Sequence, residues 1–147
     1  MFDLYQLDPL IGLWKGNGEI AASPWSRPGT CRGRWSFRFD PGRKNLIHTY
    51  EESRADGSAF DGHGVFCADP DSEDVLWFWF DSYGFPPMEP ARGLFRSDRL
   101  VLTKHTPRGV GRSTFRLDGG RFDYLVEAQA NGQPGFSDVM HGTFTRV

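Results

Sequence analysis

The sequence predicts an all-β protein, folded as a single closed antiparallel up-and-down β-barrel of about ten strands with a short N-terminal helical turn. Aromatic residues make up 15% of the chain, and aromatic side chains favour strands. The 18 glycines and 10 prolines mark frequent turns and bends. From Gly12 onward, strand-like runs alternate with turn signals. A meander of this length is expected to close, because closure removes exposed strand edges.

The elements follow from these turn signals in chain order. The helical turn is predicted at Leu7–Ile11, where it would plug one end of the barrel. Tight turns are expected at Pro41-Gly42, Asp56-Gly57 and Gly119-Gly120. The predicted strands are Gly12–Ala22, Thr30–Asp40, Asn45–Arg54, Ser58–Ala68, Asp74–Ser82, Arg92–Ser97, Arg99–Thr106, Val110–Leu117, Arg121–Gln129 and Ser137–Val147. No linker or repeat interrupts them, so residues 1–147 are expected to form one domain.

Composition and charge exclude several classes of partner. The formal net charge of −2 provides no surplus of basic residues to neutralise phosphates, so nucleic acid is not an expected partner. The longest apolar stretch, Val75–Phe80, is too short to span a bilayer. Met1–Leu4 shows no positive charge and no apolar signal core. We therefore expect a cytoplasmic protein without a membrane partner. Cys31 and Cys67 fall on predicted strands two apart in the sheet, so both are expected to be free thiols.

The second predicted strand decides which side chains face inward. Its aromatic residues alternate with arginine and serine, so the aromatic side is expected to face the interior. Pairing across Pro41-Gly42 carries this face to His48, Tyr50 and Glu52, and pairing across Asp56-Gly57 then places His63 opposite Tyr50. Later turns add further interior residues, which are Trp77, Trp79, Asp81, Phe115, Leu117, Phe122, Tyr124 and Val126. A register slip of one residue in any of these strands would move its predicted interior side chains to the outer face of the barrel.

The predicted interior is unusually polar, because His48, Tyr50, Glu52, His63 and Asp81 all face it. A dry core would need every one of them paired, since an unpaired buried polar group costs roughly 1–3 kcal/mol. A small cavity that holds water or a ligand is the simpler interpretation. The favoured role of these groups is a hydrogen-bonded network that lines a binding cavity. General acid–base chemistry and a site of two histidines and a carboxylate for a metal are the alternatives.

Two smaller motifs have both a functional and a structural interpretation. Asp81 and Ser82 lie at a strand end, where they could contact a ligand at the barrel mouth or bond their own backbone in a turn; the turn is slightly favoured. Gly16-Asn17-Gly18 looks like a fragment of a phosphate loop, but no helix start follows it. Small residues where a strand bends to close the barrel are the better interpretation.

Four segments resemble known families. Leu10–Glu19, with its Gly-x-Trp-x-Gly-x-Gly pattern, is similar to the opening strand of the nitrobindin-like barrels. Gly62–Phe66, Trp79–Gly84 and His141–Val147 resemble a related bacterial family of lipocalin-like (calycin) proteins. The resemblance implies a ten-stranded calycin barrel and brings no assigned activity. Nitrobindins bind haem b through a histidine near the start of the last strand, and the matching position here is Val139, two residues before His141. We therefore expect no haem and no other cofactor.

The predicted function is the binding of a small, mainly hydrophobic molecule, aromatic or acyl, in the barrel cavity. Aromatic side chains would supply contact area, and the polar side chains would orient the ligand. The predicted ligand-binding residues are Trp14, Trp35, Phe37, His48, Tyr50, His63, Trp77, Trp79, Asp81 and Tyr124. A haem protein of the nitrobindin type and a small barrel enzyme that uses interior histidines and carboxylates are the alternatives. The sequence leaves a homodimer open as a further partner.

Overall fold

Ten antiparallel strands follow a short helix in the computed structural model, which describes residues 1–147. The helix is a 3-10 helix over Leu4–Leu10, three residues longer at its start than predicted. The strands are β1 (Gly12–Ile20), β2 (Gly29–Phe39), β3 (Leu46–Arg54), β4 (Ala59–Ala68), β5 (Val75–Asp81), β6 (Ala91–Arg96), β7 (Arg99–Thr106), β8 (Gly109–Asp118), β9 (Arg121–Ala130) and β10 (Ser137–Arg146). No helix has the length and apolar character needed to cross a membrane.

The strands form a closed barrel, which confirms the predicted fold class. Each strand pairs with the next one along the chain, and β1 closes the barrel against β10, from Trp14 opposite Arg146 to Ile20 opposite Met140. A Cβ atom on Gly18 would lie 2.6 Å from the carbonyl oxygen of His141, so this approach of the two strands requires glycine. Gly16-Asn17-Gly18 therefore lies in the closing strand and not in a phosphate loop.

The predicted faces of β2 and β3 are confirmed. Trp35 and Phe37 are buried, whereas Arg34 and Arg38 on either side of them are exposed. Trp35 pairs with Tyr50 and Phe37 pairs with His48 across the β2–β3 hairpin. The alternation of aromatic and arginine residues thus gave the correct interior face.

The predicted position of His63 is wrong, because the β3–β4 register differs by one residue. Tyr50 pairs with Gly62, and His63 pairs with Thr49 on the outside of the barrel. The prediction assumed a two-residue turn, but the amide of Arg54 donates to the carbonyl of Ser58, which encloses a three-residue loop. Gly57 ends that loop with φ +86°, the left-handed conformation typical of such loops. His63 is therefore exposed, and its ring stacks on Phe80 with centroids 5.4 Å apart.

Aromatic side chains fill the end of the barrel that the helix covers, which we call the closed end. Leu4, Leu7 and Leu10 of the helix are buried there, and the indole N–H of Trp14 donates to the carbonyl of Leu10 at 2.8 Å. Trp35 lies at the centre of the aromatic cluster, with ring centroids 4.5 Å from Tyr50 and 5.3 Å from Phe37. The indole N–H of Trp35 is the one buried side-chain polar group without a hydrogen-bond partner.

Both cysteines are free thiols, as predicted. Cys31 is buried in β2, and Cys67 is partly buried in β4. Strand β3 lies between them in the sheet.

Candidate functional site

A cavity of about 220 Å³ occupies the other half of the barrel, which we call the open end. Its wall is mainly apolar, with contributions from Ile20, Phe60, Trp77, Trp79, Ala91, Leu102, Val126, Val139 and Met140. Its polar side chains include Ser26, Tyr50, Glu52, Arg54, Asp81, Tyr83, Lys104, Ser113 and Tyr124. An apolar concave wall with a few polar groups is the usual character of a small-molecule site.

Two tryptophans of β5 contribute to this wall, with their ring planes inclined at 45° to one another. Trp77 and Trp79 point inward from the same face of the strand, and their ring centroids are 5.1 Å apart. Gly62 and Gly64 of β4 leave the space that these indoles occupy. A Cβ atom on Gly62 would overlap the ring of Trp79, and one on Gly64 would lie 2.9 Å from the indole nitrogen of Trp77. The two inward glycines thus let both rings lie against the neighbouring strand.

His48 lies below the cavity in the packed core, with only 1% of its surface exposed. Its Nε2 accepts a hydrogen bond of 2.8 Å from the indole N–H of Trp77. Its Nδ1 lies 3.2 Å from the carbonyl of Leu46 and therefore carries the proton that donates there. Burial lowers the pKa of His48 to about 3, so the imidazole is neutral. His48 is a structural group that holds Trp77, and it does not line the cavity.

Glu52 is the centre of a buried hydrogen-bonded chain at the cavity wall. The Tyr50 hydroxyl donates to one carboxylate oxygen at 2.6 Å, and Arg54 Nε donates to the other at 2.7 Å. Arg54 also donates to the hydroxyl of Tyr83 at 3.1 Å. Burial, together with the nearby Glu52 carboxylate, raises the pKa of Tyr50, so this phenol stays protonated as a donor. The same two causes raise the pKa of Cys31 to about 12, which keeps the thiol neutral.

Asp81 both lines the cavity and ends β5 in a turn. One carboxylate oxygen accepts from the indole N–H of Trp79 at 2.9 Å, and the other accepts from the backbone amide of Tyr83 at 3.0 Å. Ser82 accepts from the backbone amide of Asp61. The favoured structural interpretation is therefore confirmed for Asp81, whose carboxylate stays at the cavity wall, whereas Ser82 bonds strand β4 and not its own turn.

Lys104 brings an amine into the cavity from β7. It follows Leu100 and Leu102 on the inward face of the strand, and both leucines are buried. No carboxylate lies within salt-bridge distance of its ammonium group, and the side chain makes no hydrogen bond. Burial lowers the pKa of Lys104. The sequence-based prediction missed this residue, although its period-two spacing from the two leucines was the available signal.

The structure separates the ten predicted site residues into three groups. Five line the cavity: Tyr50, Trp77, Trp79, Asp81 and Tyr124. Four are interior but lie in the packed closed end: Trp14, Trp35, Phe37 and His48. His63 lies on the outer surface. The role of the ten residues in ligand binding remains a prediction. No group of three His, Cys, Asp or Glu side chains is arranged to hold a metal ion.

Val139 lies in the cavity wall, at the position where the resemblance to nitrobindins would place a haem ligand. His141 is exposed on the outer face of β10, opposite Glu19 of β1 and Leu125 of β9. An isopropyl group cannot ligate iron, and His141, the nearest histidine in the sequence, points away from the cavity. These residues do not suit a haem site of the nitrobindin type.

Solved structures support the same architecture. Rv2717c from M. tuberculosis superposes with a TM-score of 0.76 at 23% identity, over 98% of this chain and 96% of that one. The S-type phycobiliprotein lyase CPES from Guillardia theta superposes with a TM-score of 0.72 at 9% identity, over 100% and 93% of the two chains. A redesigned β-barrel, mFAP1, bound to DFHBI, gives a TM-score of 0.52 at 14% identity, over 95% and 96%. The sequence matches no protein-family model and no curated protein.

These likenesses define the class of fold as a lipocalin-like barrel of ten strands. They are too distant in sequence to assign a site or an activity.

Proposed function

We propose that the open end of the barrel binds one compact, mainly apolar aromatic molecule. The observation that carries the proposal is a cavity that is walled by two tryptophan rings and ends at the packed aromatic core. A flat ligand can stack on one of these rings and meet the other at an angle, without ordering any flexible side chain. The redesigned β-barrel mFAP1, which superposes on this chain, is bound to a small molecule, DFHBI.

The size of the cavity restricts the ligand. Its volume of about 220 Å³ exceeds the roughly 150 Å³ apolar cavity that admits benzene. It is smaller than the roughly 300–1,000 Å³ of sites for drug-sized ligands. One or two fused rings with a small polar substituent match this space better than a long acyl chain or a tetrapyrrole.

The test is calorimetric titration with 2-naphthamide, a neutral two-ring probe. Wild-type protein is expected to bind one molecule. Gly111→Leu should abolish binding, because Gly111 lines the cavity and a Cβ atom there meets no atom within 4 Å, so the leucine would occupy the ligand's space. Gly120→Leu is the control, since Gly120 is exposed in the β8–β9 turn and also has free space around it. Absence of binding to wild type, or equal binding by both variants, would contradict the proposal.

We further propose that this chain does not ligate haem, because Val139 occupies the wall position and His141 faces outward. Titration of the protein with hemin is expected to give only the broad absorption of unligated hemin. A sharp Soret band at one equivalent that disappears in His141→Ala would show that the strand rearranges to supply its histidine.

A further inference from the structure

The cavity contains one cation that makes no salt bridge within the protein. Arg54 is paired with Glu52 at 2.7 Å, and the guanidinium of Arg112 is paired with Glu127 at 3.0 Å. Lys104 is the remaining cation on the wall, and no carboxylate lies within 4.0 Å of it. Asp81 acts on Lys104 only from beyond that distance, and its two oxygens already accept from Trp79 and from the backbone of Tyr83.

The surroundings of Lys104 direct its amine towards the cavity. In the β7–β8 ladder, Lys104 pairs with Gly111, which has no side chain to cover it. The next inward residue of β7 is the buried Leu102, and the wall beyond it is apolar. Partial removal of an ammonium group from water is unfavourable unless an opposite charge accompanies it. The lowered pKa of Lys104 has the same physical cause.

From this arrangement we infer that the ligand is an aromatic carboxylate, with its ring on the tryptophan wall and its carboxylate paired with Lys104. This inference rests on the proposed function and specifies its ligand class. The ligand carboxylate would supply the salt-bridge partner that Lys104 lacks, in a setting where a charge-assisted hydrogen bond is stronger than in water. Trp79, which donates to Asp81 and is thereby fixed in orientation, would hold the ring.

The test compares two probes of the same shape and different charge, 2-naphthoate and 2-naphthamide, by calorimetry at neutral pH. Wild type is expected to bind naphthoate about tenfold more tightly than naphthamide. Lys104→Met, which keeps the length and apolar stem of the side chain, should weaken naphthoate binding by about tenfold and change naphthamide binding by less than about twofold. Lys15→Met is the matched control, since Lys15 is exposed on the outer face of β1, and both affinities should stay at wild-type values.

The outcomes separate this inference from the proposed function. If wild type binds both probes equally, or if Lys104→Met weakens both equally, the carboxylate inference is wrong while ring binding stands. If wild type binds neither probe, the proposed function fails and the inference fails with it. Because the wild-type preference requires no variant, the result does not depend on whether Lys104→Met folds. Lys104→Arg should retain the preference for naphthoate, because the positive charge remains.

Discussion

The closed end and the open end of the barrel are built from the same ten strands, yet they treat inward-facing polar groups differently. At the closed end, His48 accepts from the indole N–H of the cavity-wall residue Trp77 at 2.8 Å, aromatic rings fill the remaining space, and only the indole N–H of Trp35 is left unpaired. At the open end, a cavity of about 220 Å³ remains, and Lys104 lines it without a salt-bridge partner. The closed end therefore accounts for stability, and the open end has the features expected of a binding site.

Inward glycines show the same contrast between the two ends. Gly64 is surrounded, because a Cβ atom there would lie within 3 Å of His48, of Trp77 and of a carbonyl of β5. Gly111 faces open space, with nothing within 4 Å of the corresponding position. Glycine thus permits tight packing at one end and leaves room for a ligand at the other.

The largest expected effect of a single substitution is at the centre of the closed end. Trp35→Ala should lower the free energy of unfolding by about 3–5 kcal/mol, because it empties the middle of the aromatic cluster. Urea unfolding measures this loss. Trp25→Ala is the control, since Trp25 is 50% exposed in the β1–β2 connection, and it should cost under about 1 kcal/mol. Similar losses in the two variants would mean that the closed end is not the packed core.

Acid should destabilise the closed end through His48. Its folded pKa of about 3 lies below the ordinary value of 6.5, so below pH 6.5 the unfolded chain binds a proton that the folded protein does not. The contribution of the neutral His48 imidazole to the free energy of unfolding is complete above pH 6.5. It is lost as the pH falls towards 3, at about 1.4 kcal/mol per pH unit. Urea unfolding measured across this pH range should show that the free energy of unfolding falls less per pH unit in His48→Gln than in wild type. His141→Gln, which removes an exposed imidazole from the outer face of β10, serves as the control. Equal pH dependence in wild type and His48→Gln would contradict the assignment.

Gly64 and Gly111 provide a matched pair of substitutions, one at a crowded inward position and one at an open inward position. Gly64→Ala should cost about 1–3 kcal/mol, because its methyl group must displace buried neighbours. Gly111→Ala should leave stability unchanged or raise it by up to about 1 kcal/mol, because it restricts the unfolded chain without a clash. Thermal unfolding of both variants, followed by circular dichroism, makes the comparison. A larger loss in Gly111→Ala than in Gly64→Ala would reverse the assignment of the two ends.

The smallest expected effect is that of Lys104→Met on the free protein. Removal of an unpaired and partly buried charge should change the free energy of unfolding by less than about 0.5 kcal/mol or raise it slightly. Chemical denaturation without ligand gives this value. A loss of more than about 2 kcal/mol would show that Lys104 has a structural partner within the folded chain.

The barrel and most of its interior face could be predicted, because the alternation in β2 admits only one interior side and short turns carry that side to the neighbouring strands. The exception arose at Asp56-Gly57, which is compatible with both a two-residue and a three-residue loop. A difference of one residue there exchanged His63 for Gly62 on the inner face. The chemistry proposed for His63 depended entirely on that choice.

The division of the interior into a packed half and a hollow half could not be predicted from the sequence. Period-two spacing gives the face of a residue, but not whether the space opposite it is filled. His48 and Asp81 were both correctly predicted to face inward, yet His48 is sealed beneath Trp77 and Asp81 reaches the cavity. The partners of Glu52 were also unforeseen, since Arg54 follows it by two residues on the same face and neutralises it inside the barrel.

Methyl NMR would test the binding of a ligand at the open end most directly. On addition of 2-naphthamide to protein with labelled methyl groups, ring-current shifts are expected for the cavity residues Ile20, Leu102, Val126 and Met140. The methyl groups of Leu7, Leu10 and Leu46 at the closed end should remain unchanged, because no ligand can enter their packing. The shifts should saturate at one molecule per chain. Unchanged cavity methyl groups, or shifts spread equally over both ends, would contradict a site in the open half of the barrel.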